Sequence, residues 1–121
     1  INVSAMGPLE QIEPVIEFVS HQPHLVAYSG MAIRDKGLAW LDVHHSQGSK
    51  ANGVKHVAEQ SGFKEVIAFG DGDNDISLFE FATESYAMDN ADEELKDIAT
   101  QVIGHHNEDG VARFLRDRFN L

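Results

Sequence analysis

The sequence contains no cysteine. That excludes disulfides, thiolate nucleophiles and cysteine-bound zinc, and is compatible with a reducing cytosol, so the expected location is cytoplasmic. No segment approaches the length needed to span a membrane, and the start, Ile1-Asn2-Val3-Ser4, lacks the basic stretch and apolar run of a signal peptide. An initiator methionine is also missing, from which a trimmed or partial chain is expected. Positive charge is scarce: 9 basic residues stand against 20 acidic ones, for a net charge of −11. A field of that sign repels a nucleic-acid backbone, so nucleic acid and membrane are both discarded as partners. A small phosphorylated metabolite is not discarded, because a metal ion and a lysine can reverse the potential locally. There is no internal repeat, no low-complexity segment and no basic groove that would make Trp40, Tyr28 and the phenylalanines a stacking platform for bases.

What is present suits a compact α/β chain. Hydrophobic residues make up 42% of the 121 positions, enough for a packed core. Leu9, Ile12, Val15, Ile16 and Val19 keep helical spacing up to Ser20, with Pro14 expected to kink the helix or restart it. Residues 24–29 and 38–45 read as two strands, with a hairpin possible between them, separated by Arg34-Asp35-Lys36-Gly37. A helix with the stripe Ala51, Val54, Val57 and Ala58 follows, with Lys50 in its first turn. Next come the apolar strand Val66-Ile67-Ala68-Phe69, a buried helix over 76–82, a strand at Tyr86-Ala87-Met88, a helix over 90–99, a short strand at Val102-Ile103 and a closing helix through Phe119. Strands alternating with helices predict a parallel sheet. The division is placed between residues 1–46, a helix and two strands, and residues 47–121, the βα units.

The densest chemical signal is Gly70-Asp71-Gly72-Asp73-Asn74-Asp75, directly after the most strand-like run and directly before a helix. An aspartate-rich hexapeptide alone is more often a solvated turn. At the carboxyl end of a parallel strand, however, its carboxylates converge where such sheets bind ligands, and an all-oxygen donor set beside a phosphate calls for Mg²⁺. A calcium loop is rejected, because its turn glycine would fall at Ile76 and its bidentate glutamate at Ala82. Lys50, at a helix start, is placed to meet an anion. The histidine pairs His44-His45 and His105-His106 read as structural or exposed, since adjacent strand residues point to opposite faces.

Ser49-Lys50 at a helix start, Phe69 to Asp75 after a strand, Ala87-Met88-Asp89-Asn90-Ala91, and Asn107-Glu108-Asp109-Gly110-Val111-Ala112 together resemble, in order and spacing, the Cof-type phosphatases of the haloacid dehalogenase superfamily. The similarity runs from about Leu41 to the C-terminus. It implies a Rossmann-like parallel-sheet core, of which 47–121 is the C-terminal part and 1–46 the end of an α/β cap. It also implies a Mg²⁺-dependent hydrolase of small phosphate monoesters, sugar phosphates or similar, working through an aspartyl-phosphate. By this resemblance Lys50 is catalytic and binds phosphate, Asp71 is a metal ligand, and Asp75 supports the metal through water or by holding Lys50. Asn74 binds phosphate or fixes the loop, and Asp73 has no assigned role. Two features depart from the family pattern. Ala51 replaces the usual glycine, with Asn52-Gly53 following it, and no Asp-X-Asp-Gly-Thr-like nucleophile segment precedes Lys50. The expectation is therefore a fragment inactive by itself. The alternative is a non-catalytic regulatory or interaction module, self-associating through an open sheet edge.

Overall fold

The computed structural model describes residues 2–32 and 34–121. The chain divides into two compact units, Ile1–Ser49 and Lys50–Leu121, against the sequence-based division between 46 and 47. Residues 46–48 form a 3-10 turn in which the Ser46 N–H donates to the His24 carbonyl and the Gln47 N–H to the His45 ring.

In the first unit, β1 (Asn2–Pro8), α1 (Leu9–Ser20), β2 (Leu25–Met31) and β3 (Leu38–His45) build an antiparallel sheet of order β1-β3-β2. The expected hairpin is there, with Leu25 opposite His45 and Met31 opposite Ala39. Strand β1 was not foreseen. Its sequence, NVSAMGP, is poor in β-formers, and it is held at the sheet edge by pairing with β3, from Asn2 opposite His44 to Pro8 opposite Leu38. Alternation sorts the faces: Ala39 and Leu41 point to α1 and form a core with its Ile12, whereas Trp40 lies on the other face. There Gly30 sits under the Trp40 ring, and a Cβ at that position would come within 2.9 Å of it. Helix α1 runs unbroken through Pro14. Pro14 is on the exposed side, so the carbonyl of Glu10 that loses its partner can turn to water. The buried stripe is narrower than the periodicity suggested: Ile12 and Val19 are buried, whereas Leu9 and Val15 are exposed.

In the second unit, α2 (Lys50–Ser61), β4 (Ile67–Gly70), α3 (Ile76–Phe81), β5 (Glu84–Met88), α4 (Glu93–Ile98), β6 (Gln101–Ile103) and α5 (Gly110–Phe119) follow the predicted order. The strands form a parallel sheet of order β4-β5-β6. Apolar cores lie on both of its faces, which is why the strands read as continuous apolar runs. Ala68 and Ala87 pack with Leu78, Phe79, Ala91 and Leu95 on one face. Tyr86, Met88 and Ile103 pack with Phe69, Val111 and Phe114 on the other. Leu95 is fully buried, a burial that contributes roughly 1.5–3 kcal/mol. In α2, Ala58 is buried but Val57 is 57% exposed. At 100° per residue Val57 falls well to one side of the arc shared by Ala51, Val54 and Ala58. Among the described residues no helix is long and apolar enough to cross a membrane.

Candidate active site

Strands β4, β5 and β6 are parallel, so their carboxyl ends lie along one edge, and the loops after Gly70, Met88 and Ile103 meet there. The loop after β4 is shaped by Asp75, which is buried. Its Oδ2 accepts hydrogen bonds from the backbone N–H groups of Asp71 (3.1 Å) and Gly72 (3.4 Å), closing the turn back on itself. Glycine at 70 is obligatory for this closure: a Cβ there would lie 2.6 Å from the Asp75 Cβ and 2.7 Å from its Oδ2.

The other Asp75 oxygen, Oδ1, accepts from Lys50 Nζ at the start of α2. The same ammonium donates to Asn74 Oδ1 at 3.2 Å. Lys50, Asn74 and Asp75 are thus brought together, with Asp75 holding the lysine. Asp73 is exposed and starts a 3-10 turn, Asp73–Asp75.

Asp71 differs from Asp75 in every respect. Its side chain is 55% exposed, at the sheet's carboxyl edge. Asn90 Nδ2 donates to its Oδ2 at 3.3 Å, and the backbone N–H of Asp92 donates to its carbonyl at 3.3 Å. His106 Nδ1 stands 3.9 Å from the same Oδ2. Asn90 was part of a resembling segment but had no assigned role, and His106 was read as structural or exposed. The rule that ligand loops follow the carboxyl ends of parallel strands points to both, since they come shortly after β5 and β6. His105 accepts from the Asn107 N–H at 3.1 Å and so has a structural role.

The carboxylates at this edge are few for the expected Mg²⁺. Among the described residues no three His, Asp or Glu side chains cluster tightly enough to hold an ion alone. Asp75 is committed to Lys50 and the loop amides, which leaves Asp71 and the exposed Asp73 as the loop's solvent-facing carboxylates, and of these Asp71 is the one held by Asn90. One carboxylate fits a hard cation that keeps several waters and takes phosphate oxygens as further ligands.

The sequence profile of the haloacid dehalogenase-like hydrolases matches residues 5–115. The chain belongs to that family. The Cof-type resemblance carried by the four segments agrees with the relatives. A 5-amino-6-(5-phospho-D-ribitylamino)uracil phosphatase of Bacillus subtilis is 39% identical over 83 residues, covering 67% of this chain and 31% of its own length. A phosphoglycolate phosphatase of Methanopyrus kandleri is 35% identical over 112 residues, 90% of this chain and 45% of its own. Among solved structures, haloacid dehalogenase-like hydrolases of B. subtilis and Bacteroides thetaiotaomicron, each 28% identical, superpose with TM-scores of 0.79 and 0.78. They cover 95% and 98% of this chain, which in turn covers 39% and 44% of theirs. The haloacid dehalogenase-like chain thus spans less than half the length of each of these four relatives, with the Rossmann-like core in its second unit.

Proposed function

We propose that this chain carries the lysine and metal-loop part of a Mg²⁺-dependent phosphohydrolase acting on small phosphate monoesters, of sugars or similar metabolites, in the cytoplasm. The observation that carries the reading is the Lys50 ammonium, fixed by Asp75 and Asn74 at the strand edge where Asp71 presents an exposed carboxylate. Asp71 would hold the cation, which when bound supplies charge neutralisation at phosphate oxygens. Lys50 would place a compact positive charge against the transferring phosphoryl group, where an oriented cation lowers the barrier most. Asp75 keeps that ammonium aimed, and Asn74, whose oxygen faces the lysine, keeps its amide N–H groups for phosphate. The two relatives above are named for phosphate monoesters of different skeletons, which supports the bond type and leaves the skeleton open.

The aspartate nucleophile that forms the aspartyl-phosphate, and its acid/base partner two residues on, are assigned to chain outside this sequence. Residues 1–46 are assigned to the end of the α/β cap. The test is hydrolysis of an aryl phosphate, with and without Mg²⁺, by these 121 residues and by the longest reading frame containing them. Mg²⁺-dependent turnover in the longer form only, lost on Asp71→Ala, is expected. Turnover in neither form, with Mg²⁺ bound, would replace this reading with a non-catalytic module.

A further inference from the structure

We infer that Asn90 is a positioning residue that sets the Asp71 carboxylate for a divalent cation, an inference that rests on the metal reading of Asp71 above. Asn90 follows β5 in a turn closed by the Ala91 N–H to the Met88 carbonyl at 2.9 Å. Its half-buried side chain uses both ends of the amide: Nδ2 donates to Asp71 Oδ2 at 3.3 Å, and Oδ1 accepts from the His106 N–H at 3.1 Å. One residue therefore joins the three loops at the sheet's carboxyl edge.

The consequence falls on Asp71. A carboxylate this exposed would otherwise rotate about two bonds, and a cation that binds it would have to overcome that freedom. With Oδ2 taken by Asn90, Oδ1 is the oxygen without a hydrogen-bond partner among the described residues and is the one left for a metal. The amide suits the task where a carboxylate would not. An aspartate at 90 has no proton to donate and would set a second negative charge against Asp71, whereas the neutral amide orients the ligand without repelling it. The second hydrogen bond, to His106, ties the amide's own orientation to the β6–α5 loop.

The experiment is a Mn²⁺ titration of the 121-residue chain, with affinity read from water-proton relaxation and position read from paramagnetic broadening of backbone amide signals. For the native chain, broadening should centre on Gly70 to Gly72. Asn90→Ala is expected to weaken Mn²⁺ binding about tenfold while the amide shifts of Asn74 and Asp75 stay put, which a general loosening of the β4 loop would not allow. Asn90→Ser, which keeps a polar turn residue but is too short to reach Asp71, should weaken binding equally and covers the case in which the alanine variant fails to fold. Native Mn²⁺ affinity in both variants, with binding abolished by Asp71→Ala, overturns the role of Asn90 and leaves Asp71 standing. Binding that survives Asp71→Ala, or no binding at all, overturns the metal reading and this inference with it.

Discussion

Lys50 and Asp75 form an ion pair of unequal exposure: 51% of the lysine side chain is accessible and 6% of the aspartate's. The aspartate is anchored from below by the amides of its own loop, and the lysine caps it from the solvent side. The fixed partner is thus the buried anion, and the ammonium keeps an open flank toward solvent.

Removing the lysine leaves that anion with loop amides alone. Lys50→Met is expected to lower unfolding free energy in urea by about 1–2 kcal/mol. That is less than the ~3–5 kcal/mol for breaking a fully buried pair, because water replaces a half-exposed partner. A loss above that range would show that the pair is shielded more than its exposure implies.

The ten glycines differ sharply in what they tolerate. A Cβ at Gly110 runs into the backbone carbonyl of Gly104, which cannot swing aside as a side chain would. Gly110→Ala should cost about 3 kcal/mol or prevent folding. Gly53, inside α2, has nothing within 4 Å of a built Cβ. Gly53→Ala should therefore stabilise the chain by roughly 0.5–1 kcal/mol through helix propensity. Thermal melts of the two variants check both signs.

Tyr86 donates its phenolic proton to Glu84, and this hydrogen bond holds its pKa above the ordinary 10.0, with burial and the Glu84 charge adding to the rise and Arg118 opposing it. Since the folded value is raised, the linked stability is fully present below the unfolded pKa and is lost as pH rises through the folded one. Stability should decline on the alkaline side of pH 10.0 more steeply in the native chain than in Tyr86→Phe. Denaturant midpoints across that range, with phenolate absorbance as the titration signal, measure it.

Arg118 reaches back from α5 to Glu84 at 2.8 Å, and its side chain is 48% exposed. Screening in that setting keeps the pair weak. Arg118→Ala should change stability by under about 1 kcal/mol, with the difference shrinking as salt is added; an effect that salt leaves untouched would mean packing, not charge, is what Arg118 provides.

The second unit was legible in the sequence because its period signals were strong. The run from Val66 to Phe69 is apolar on both faces, and the loop after it is punctuated by glycine at the places where backbone and carboxylate meet. Lys50, Asn74 and Asp75 could be grouped by resemblance, but not the particular bonds among them. Asn90, though part of a resembling segment, was given no role because an asparagine after a strand has no period and no charge to mark one. It acquires meaning only when parallel pairing sets the end of β5 beside the end of β4. Strand β1 was invisible for a different reason: a segment whose one strong β-former is Val3, among Asn, Ser, Ala, Met, Gly and Pro, has little intrinsic preference for extension, and its pairing with β3 supplies what propensity lacks.

The contact between Gly70 and Asp75 links two positions in the way this sequence can drift. The side chain at 75, its Cβ included, occupies the volume that any side chain at 70 would need, so a larger residue at 70 becomes tolerable only after 75 has lost its side chain. Gly70→Ala and Asp75→Gly should accordingly be less harmful together than their separate effects add up to, because the second removes the clash the first creates, which Asp75→Ala, keeping the Cβ 2.6 Å away, would not. Either change alone is a barrier, and the pair behaves as one heritable character.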